Sequence, residues 1–168
     1  TDTGKMSKSK GEFLTVSLLE QKGYDPMAYR LFCLQSHYRR NLVFSWENLD
    51  NAAVAYDKLV ARIAALKNDG EVDTEAFNVL KDRFKGALNG DLNTSLAVTA
   101  VYDVLKAKTN DATKLTALTD FDQVLSLNLL KAAENLRKKQ AEEAAASADP
   151  EIDALVAARA DAKKAKNF

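Results

Sequence analysis

The chain has 168 residues, enough for one domain with a buried core; 29% are charged and 46% hydrophobic, which excludes wholesale disorder. Lys plus Arg and Asp plus Glu each total 24, so it is not uniformly basic, and a lone Cys33 and lone His37 are too few for a four-ligand zinc site or a disulfide framework. No apolar run reaches the roughly 20 residues of a bilayer-spanning helix, and the first 30 residues carry no secretory apolar core, so the expectation is a soluble, cytoplasmic protein with no membrane partner.

Punctuation gives the class. Prolines stand only at 26 and 150, glycines number six, and alanine is abundant. This predicts an all-α chain. Charge is uneven along it: residues 1–40 carry seven cations and four anions, residues 41–158 carry 13 and 19, and the last ten carry four and one. Basic ends around an acidic middle suit a protein that meets phosphates at selected places, and equally a chance scatter of solvated faces.

In chain order, Thr1 to Gly11 reads as an exposed basic loop. A short helix follows from about Thr15 to Lys22, stopped by Gly23. Asp25-Pro26 looks like an N-cap with proline at the first helical position. The helix it opens is predicted to carry Leu31, Phe32, Cys33, Leu34 and His37 inward and to close on Arg39, Arg40 and Asn41. Val43 and Phe44 suggest a brief extended piece. Ser45 caps a long helix to about Asn68, with Leu49, Ala52, Ala53, Tyr56, Leu59, Val60 and Ile63 as its stripe. Asp73 starts another, burying Phe77, Leu80, Phe84 and Leu88, and Asn89-Gly90-Asp91 turns the chain. Two more helices carry Leu96, Val98, Val101, Val104 and Leu105, then Leu115, Leu118, Phe121, Val124 and Leu125. Residues 131–148 read as a solvated helix or a mobile connector, and Asp149-Pro150 opens a last basic helix.

The stretch richest in chemistry is Lys5-Met6-Ser7-Lys8-Ser9, followed by Lys10-Gly11. Two ammonium groups, two hydroxyls and a flexible backbone are the parts needed to hold a polyphosphate and to neutralise charge building on departing pyrophosphate. By composition alone a disordered basic terminus is the better explanation of the run. The order of residues adds more: Lys-Met-Ser-Lys-Ser resembles the signature loop of class I aminoacyl-tRNA synthetases, and an accidental match of five in a chain this long arises on the order of once in ten thousand.

Downstream, Asp25-Pro26-Met27-Ala28-Tyr29-Arg30, Ser36-His37-Tyr38-Arg39, Phe44-Ser45-Trp46, Gly90-Asp91-Leu92-Asn93-Thr94 and Phe121-Asp122-Gln123-Val124-Leu125 resemble segments of the cysteinyl-tRNA synthetases. The resemblance implies a piece of the C-terminal half of a longer cysteine-activating ligase. Residues 1–45 would hold the loop and the stem-contact region; residues 46–168 would be a helical anticodon-stem-binding domain cut short at its end. It implies ATP and the tRNA specific for cysteine as partners, with no DNA. Lys8 would contact the ATP phosphates, and Lys5, Met6, Ser7 and Ser9 would shape the loop. The nucleotide-binding half and the family's zinc would lie outside this chain, so the piece alone would be inactive. Glu12 departs from the family's usual Asn.

Other groups are weighed by chemistry. Cys33 and His37, four apart, share a predicted helix face, but two ligands make core packing the better reading. Asp120 and Asp122 diverge around a helix and suggest no acid–base pair. Trp46 reads as a packing anchor. Arg39 and Arg40, and the C-terminal Arg159, Lys163, Lys164 and Lys166, are the candidates for RNA phosphate contacts. The competing function is a helical RNA-binding or interaction module without enzymology.

Overall fold

Short polar residues start six of the helices, each by accepting a backbone N–H of the first turn. The computed structural model describes residues 15–147. Thr15 opens α1 (Val16–Gln21), Asp25 opens α2 (Pro26–Leu34), and Ser45 opens α3 (Trp46–Ala64). Asp73 does so for α4 (Thr74–Asn89), Asn93 for α5 (Thr94–Lys106) and Asn110 for α6 (Asp111–Leu125). Helix α7 spans Leu129–Ser147. Among the described residues there are seven helices and no strand, so the class is all-α.

Helix α2 lies against α3, while α4, α5 and α6 pack on one another and α5 reaches both α2 and α3. Leu31, Leu49, Leu59, Ile63, Val101, Val104, Leu118 and Phe121 are fully buried. Phe84 and Phe121 stack with ring centroids 4.1 Å apart, joining α4 to α6. A further cluster of Leu19, Phe32, Phe44, Leu49 and Ala52 draws on residues both before and after Ser45, so α1 and α2 share a core with α3. The described residues up to Ala133 form one compact unit. The rest of α7, from Glu134, forms a second, lined by the pairs Lys138–Glu134 (2.6 Å) and Lys139–Glu143 (3.9 Å) on its exposed surface.

Several expectations are corrected. Helix α2 ends at Leu34, not near Asn41, because Ser36 to Arg39 are drawn into contacts with the α4–α5 turn. Arg39 and Arg40 therefore cap no helix. Residues 41–45 form no strand, and Phe44 is buried edge-on against Phe32 and Trp46. Helix α3 stops at Ala64. Leu96 and Val124 face outward, at 55% exposure each, while Ala97, Ala100, Ala112 and Ala117 are buried. Small side chains at those positions let α5 and α6 approach their neighbours closely, so the buried faces take in these alanines beside Val101, Val104, Leu118 and Phe121 and leave Leu96 and Val124 outside. Residues 131–147 are helical. The basic N-terminal loop and the helix expected after Pro150 lie outside the described residues.

Candidate nucleic-acid interface

Of the predicted site residues, Lys5, Met6, Ser7, Lys8, Ser9, Arg159, Lys163, Lys164 and Lys166 lie outside the described residues. Arg39 and Arg40 lie within them, in the turn that follows α2. Cys33 remains on α2, half-buried against the Phe32 cluster, but His37 is beyond the helix, so the shared face that a Cys–His pair needs does not form.

The turn after α2 meets the turn between α4 and α5 at Asp91. The Arg39 side chain approaches Asp91 by its Nε edge, with Nε 2.7 Å from Oδ2 and Nη2 3.0 Å from Oδ1. The Tyr38 hydroxyl donates to Oδ1 at 2.7 Å and accepts from Arg39 Nε at 3.0 Å. His37 stacks on Tyr38 at 4.9 Å, places Nε2 3.8 Å from Oδ2, and accepts the Arg39 backbone N–H on Nδ1 at 3.2 Å. The Thr94 hydroxyl reaches the Ser36 carbonyl at 3.5 Å. The Tyr38 hydroxyl first, and then the Arg39 guanidinium, hold the Asp91 carboxyl below its ordinary value; the same bond pushes the Tyr38 hydroxyl above its own. Arg39 is 67% exposed and Asp91 49%, so the node is bathed in solvent. Arg40 is exposed, and its side chain has no ion-pair partner among the described residues. The chemistry on offer is anion recognition by guanidinium groups.

A separate open cleft of about 440 Å³, lined by Asp73, Glu75, Leu80, Arg83, Lys108 and Thr109 among others, holds none of the predicted site residues. Its mixed charge gives it no preference for phosphate.

No family model matches the chain. It is 43% identical to the cysteine–tRNA ligase of Novosphingobium aromaticivorans over 95% of its own length, and 32% identical to that of Borreliella burgdorferi over 99%. With cysteine–tRNA ligase 1 of Burkholderia lata it shares 38% identity over 74%. The chain is a homologue of part of the cysteine–tRNA ligases. It spans about a third of the length of these relatives, from 26% to 37%.

The segments that carried the resemblance to these ligases meet one another in space. Ser36-His37-Tyr38-Arg39 meets Gly90-Asp91-Leu92-Asn93-Thr94 at the node just described. Tyr29-Arg30 meets Phe121–Leu125, where Arg30 Nε donates to the Leu125 carbonyl at 2.6 Å. Asp122 accepts the backbone N–H groups of Leu127 (2.7 Å) and Leu129 (2.8 Å), and the buried Tyr56 hydroxyl donates to the Leu127 carbonyl at 2.9 Å. Burial raises the Tyr56 hydroxyl's pKa steeply, which keeps it protonated for that bond. Phe44-Ser45-Trp46 supplies the α3 cap and an aromatic group: Trp46 stacks on Tyr24 at 5.9 Å, lies edge-on to Phe44 at 5.3 Å, and carries Lys22 Nζ 5.0 Å over its ring. Trp46 packs as the sequence suggested. Asp91, Tyr56 and Arg30 were not singled out as acting groups beforehand. The available signal was the short motifs around Asp91 and Arg30, whose partners lie 52 and 95 residues away in the sequence.

Proposed function

We propose that this chain is the part of a cysteine–tRNA ligase that carries its phosphate-gripping loop and helices facing the tRNA stem. The complete cytoplasmic enzyme would activate cysteine with ATP, release pyrophosphate and pass the cysteine to its tRNA. The observation that carries the reading is Lys5-Met6-Ser7-Lys8-Ser9 standing ahead of helices related to those ligases along nearly the whole chain. Lys8 would neutralise charge on the α- and β-phosphates as the adenylate forms, while Lys5, Met6, Ser7 and Ser9 shape the loop. Arg39 and Arg40, with Arg159, Lys163, Lys164 and Lys166, would meet RNA phosphates. The zinc that the family implies has little to bind here: Cys33 and His37 are the single thiol and single imidazole, and among the described residues no three His, Cys, Asp or Glu side chains stand together. Its site would lie elsewhere in the enzyme.

The test is Lys8→Ala in the complete ligase. Loss of a charge stabiliser used mainly in the transition state should slow ATP–pyrophosphate exchange by about 10²-fold or more, with ATP binding changed far less. An exchange rate equal to that of the unmutated enzyme would remove Lys8 from the mechanism. Residues 1–168 alone should show no exchange, since a loop without a nucleotide pocket cannot align cysteine against the α-phosphate. Exchange by the pure chain would defeat the reading.

A further inference from the structure

We infer that Asp91 is a positioning residue: it fixes the Arg39 guanidinium so that its outer edge, beside Arg40, receives one backbone phosphate of RNA. The inference rests on the reading that this chain meets RNA, and it assigns the geometry by which it does so.

A guanidinium has five N–H groups and two edges able to grip an oxyanion in bidentate fashion. On Arg39 the Nε–Nη2 edge is occupied. Nε lies 2.7 Å from Asp91 Oδ2, and Nη2 donates to Oδ1 at 3.0 Å. Tyr38 closes the arrangement, its hydroxyl bonded to both Asp91 and Nε and its ring 5.4 Å from the guanidinium carbon. His37 stacks behind Tyr38 and takes the Arg39 backbone N–H. What remains is the end-on Nη1–Nη2 edge, which has no partner among the described residues, on a side chain 67% exposed. The Arg40 N–H bonds the His37 carbonyl at 2.9 Å, so a tight turn places this second, exposed cation next in line. A fixed fork and an adjacent positive charge match the two unesterified oxygens of a phosphodiester.

Two effects of Asp91 on an incoming phosphate oppose each other. Its carboxylate repels the anion, and its hold on Arg39 removes the rotamer freedom that a loose arginine would lose on binding. The repulsion acts through solvent from the far edge of the guanidinium, where water and salt screen it. The ordering acts in full, because a long exposed arginine is otherwise free. Ordering therefore dominates, and deleting this acidic side chain with its acceptor oxygens should weaken binding to a polyanion, opposite to the result from net charge alone.

The deletion must respect the backbone. Asp91 has φ +62°, where alanine is strained and glycine is not. Asp91→Gly in the full 168-residue chain is therefore compared with the unmutated chain for binding of fluorescently labelled tRNA at low ionic strength, across a salt series. Asp91→Gly should weaken binding several-fold and lower the dependence of log affinity on log salt by about one phosphate's worth, as Arg39→Ala does. It should have no further effect in an Arg39→Ala background. Asp91→Asn, which keeps an acceptor oxygen and tolerates the left-handed backbone, should retain most of the affinity. Thermal unfolding of each variant identifies loss of fold, and Tyr38→Phe, which removes one of the three holds, should give a smaller loss of the same kind. Binding of the Asp91→Gly chain as tight as or tighter than the unmutated chain overturns the inference alone, as does an equal loss in the Arg39→Ala background. An unmutated chain that binds no tRNA at low salt overturns the RNA reading as well.

Discussion

The α4–α5 and α6–α7 turns both bend through non-glycine residues with positive φ, Asp91 (62°) and Leu92 (51°) in the first, Ser126 (51°) and Asn128 (58°) in the second. They are held by different means. At the α6–α7 turn the bonds lie in or at the edge of the core: the buried Tyr56 caps the Leu127 carbonyl, the half-buried Asp122 takes two N–H groups, Arg30, itself exposed, reaches in to the Leu125 carbonyl through a part-buried bond, and Leu127 and Leu129 are inaccessible to solvent. At the α4–α5 turn the anchors are the exposed Asp91, Arg39 and Tyr38. Hydrogen bonds to buried backbone groups cannot be replaced by water, so the first set stabilises the fold. Exposed ion pairs contribute little to stability, so the second set is free to serve recognition. Position relative to solvent, more than bond length, separates a latch from a site.

Removing buried substance near the α6–α7 turn gives the largest expected effect. Phe121 is fully buried and stacked on Phe84, and Phe121→Ala should cost about 3–5 kcal/mol in urea unfolding. A loss no greater than that of a surface change would mean the α4–α6 contact is not core.

Next come the latch groups themselves. Asp122→Ala leaves two backbone N–H groups without acceptors, and Tyr56→Phe leaves the Leu127 carbonyl bare. Each should cost about 1–3 kcal/mol by the same measurement. Near-neutral values for both would erase the contrast between the turns.

A smaller effect of opposite sign is expected at Leu92, which is 61% exposed at φ 51°. Leu92→Gly relieves the left-handed strain while adding freedom to the unfolded chain, for a net stabilisation of up to about 1 kcal/mol. A destabilised variant would show that the leucine makes contacts that outweigh its strain.

The smallest effect is the pH dependence of the exposed node. The Asp91 carboxyl sits below its ordinary 3.8, so its contribution to stability is fully present above that value and is lost as pH falls through the lower folded-state value. The difference in thermal midpoint between the unmutated chain and Asp91→Asn should therefore be constant near neutrality and shrink in strong acid. A difference that grows on acidification would contradict the bonding at Asp91.

These helix starts were legible because each is a local matter: Asp25, Ser45 and Asp73 accept a bond from two or three residues downstream, within the span that a sequence pattern describes. The long stripe of α3 was equally plain, with Leu49, Ala52, Tyr56, Leu59, Val60 and Ile63 all buried. The inward face of α5 was legible in part: Val98, Val101 and Val104 are buried as expected, while Ala97 and Ala100 carry little hydrophobic signal and owe their burial to the neighbouring helices. At the candidate site, Arg39 and Arg40 were visible as cations. The partner that orients one of them stands 52 residues away, in a turn whose acidic residue looked like ordinary turn chemistry.

By itself the sequence determined that this protein is helical, where its helices begin, and which relatives it has, because caps, proline positions and motifs act through neighbouring residues or through order alone. Where α2 ends, how far the inward face of α5 extends onto Ala97 and Ala100, and which edge of Arg39 is left without a partner were decided only in the tertiary structure. Each depends on free energy gained from groups distant in the chain. Helical propensity would carry α2 toward Asn41, yet the contacts that Ser36, Tyr38 and Arg39 make with the α4–α5 turn exist only when α2 has already ended.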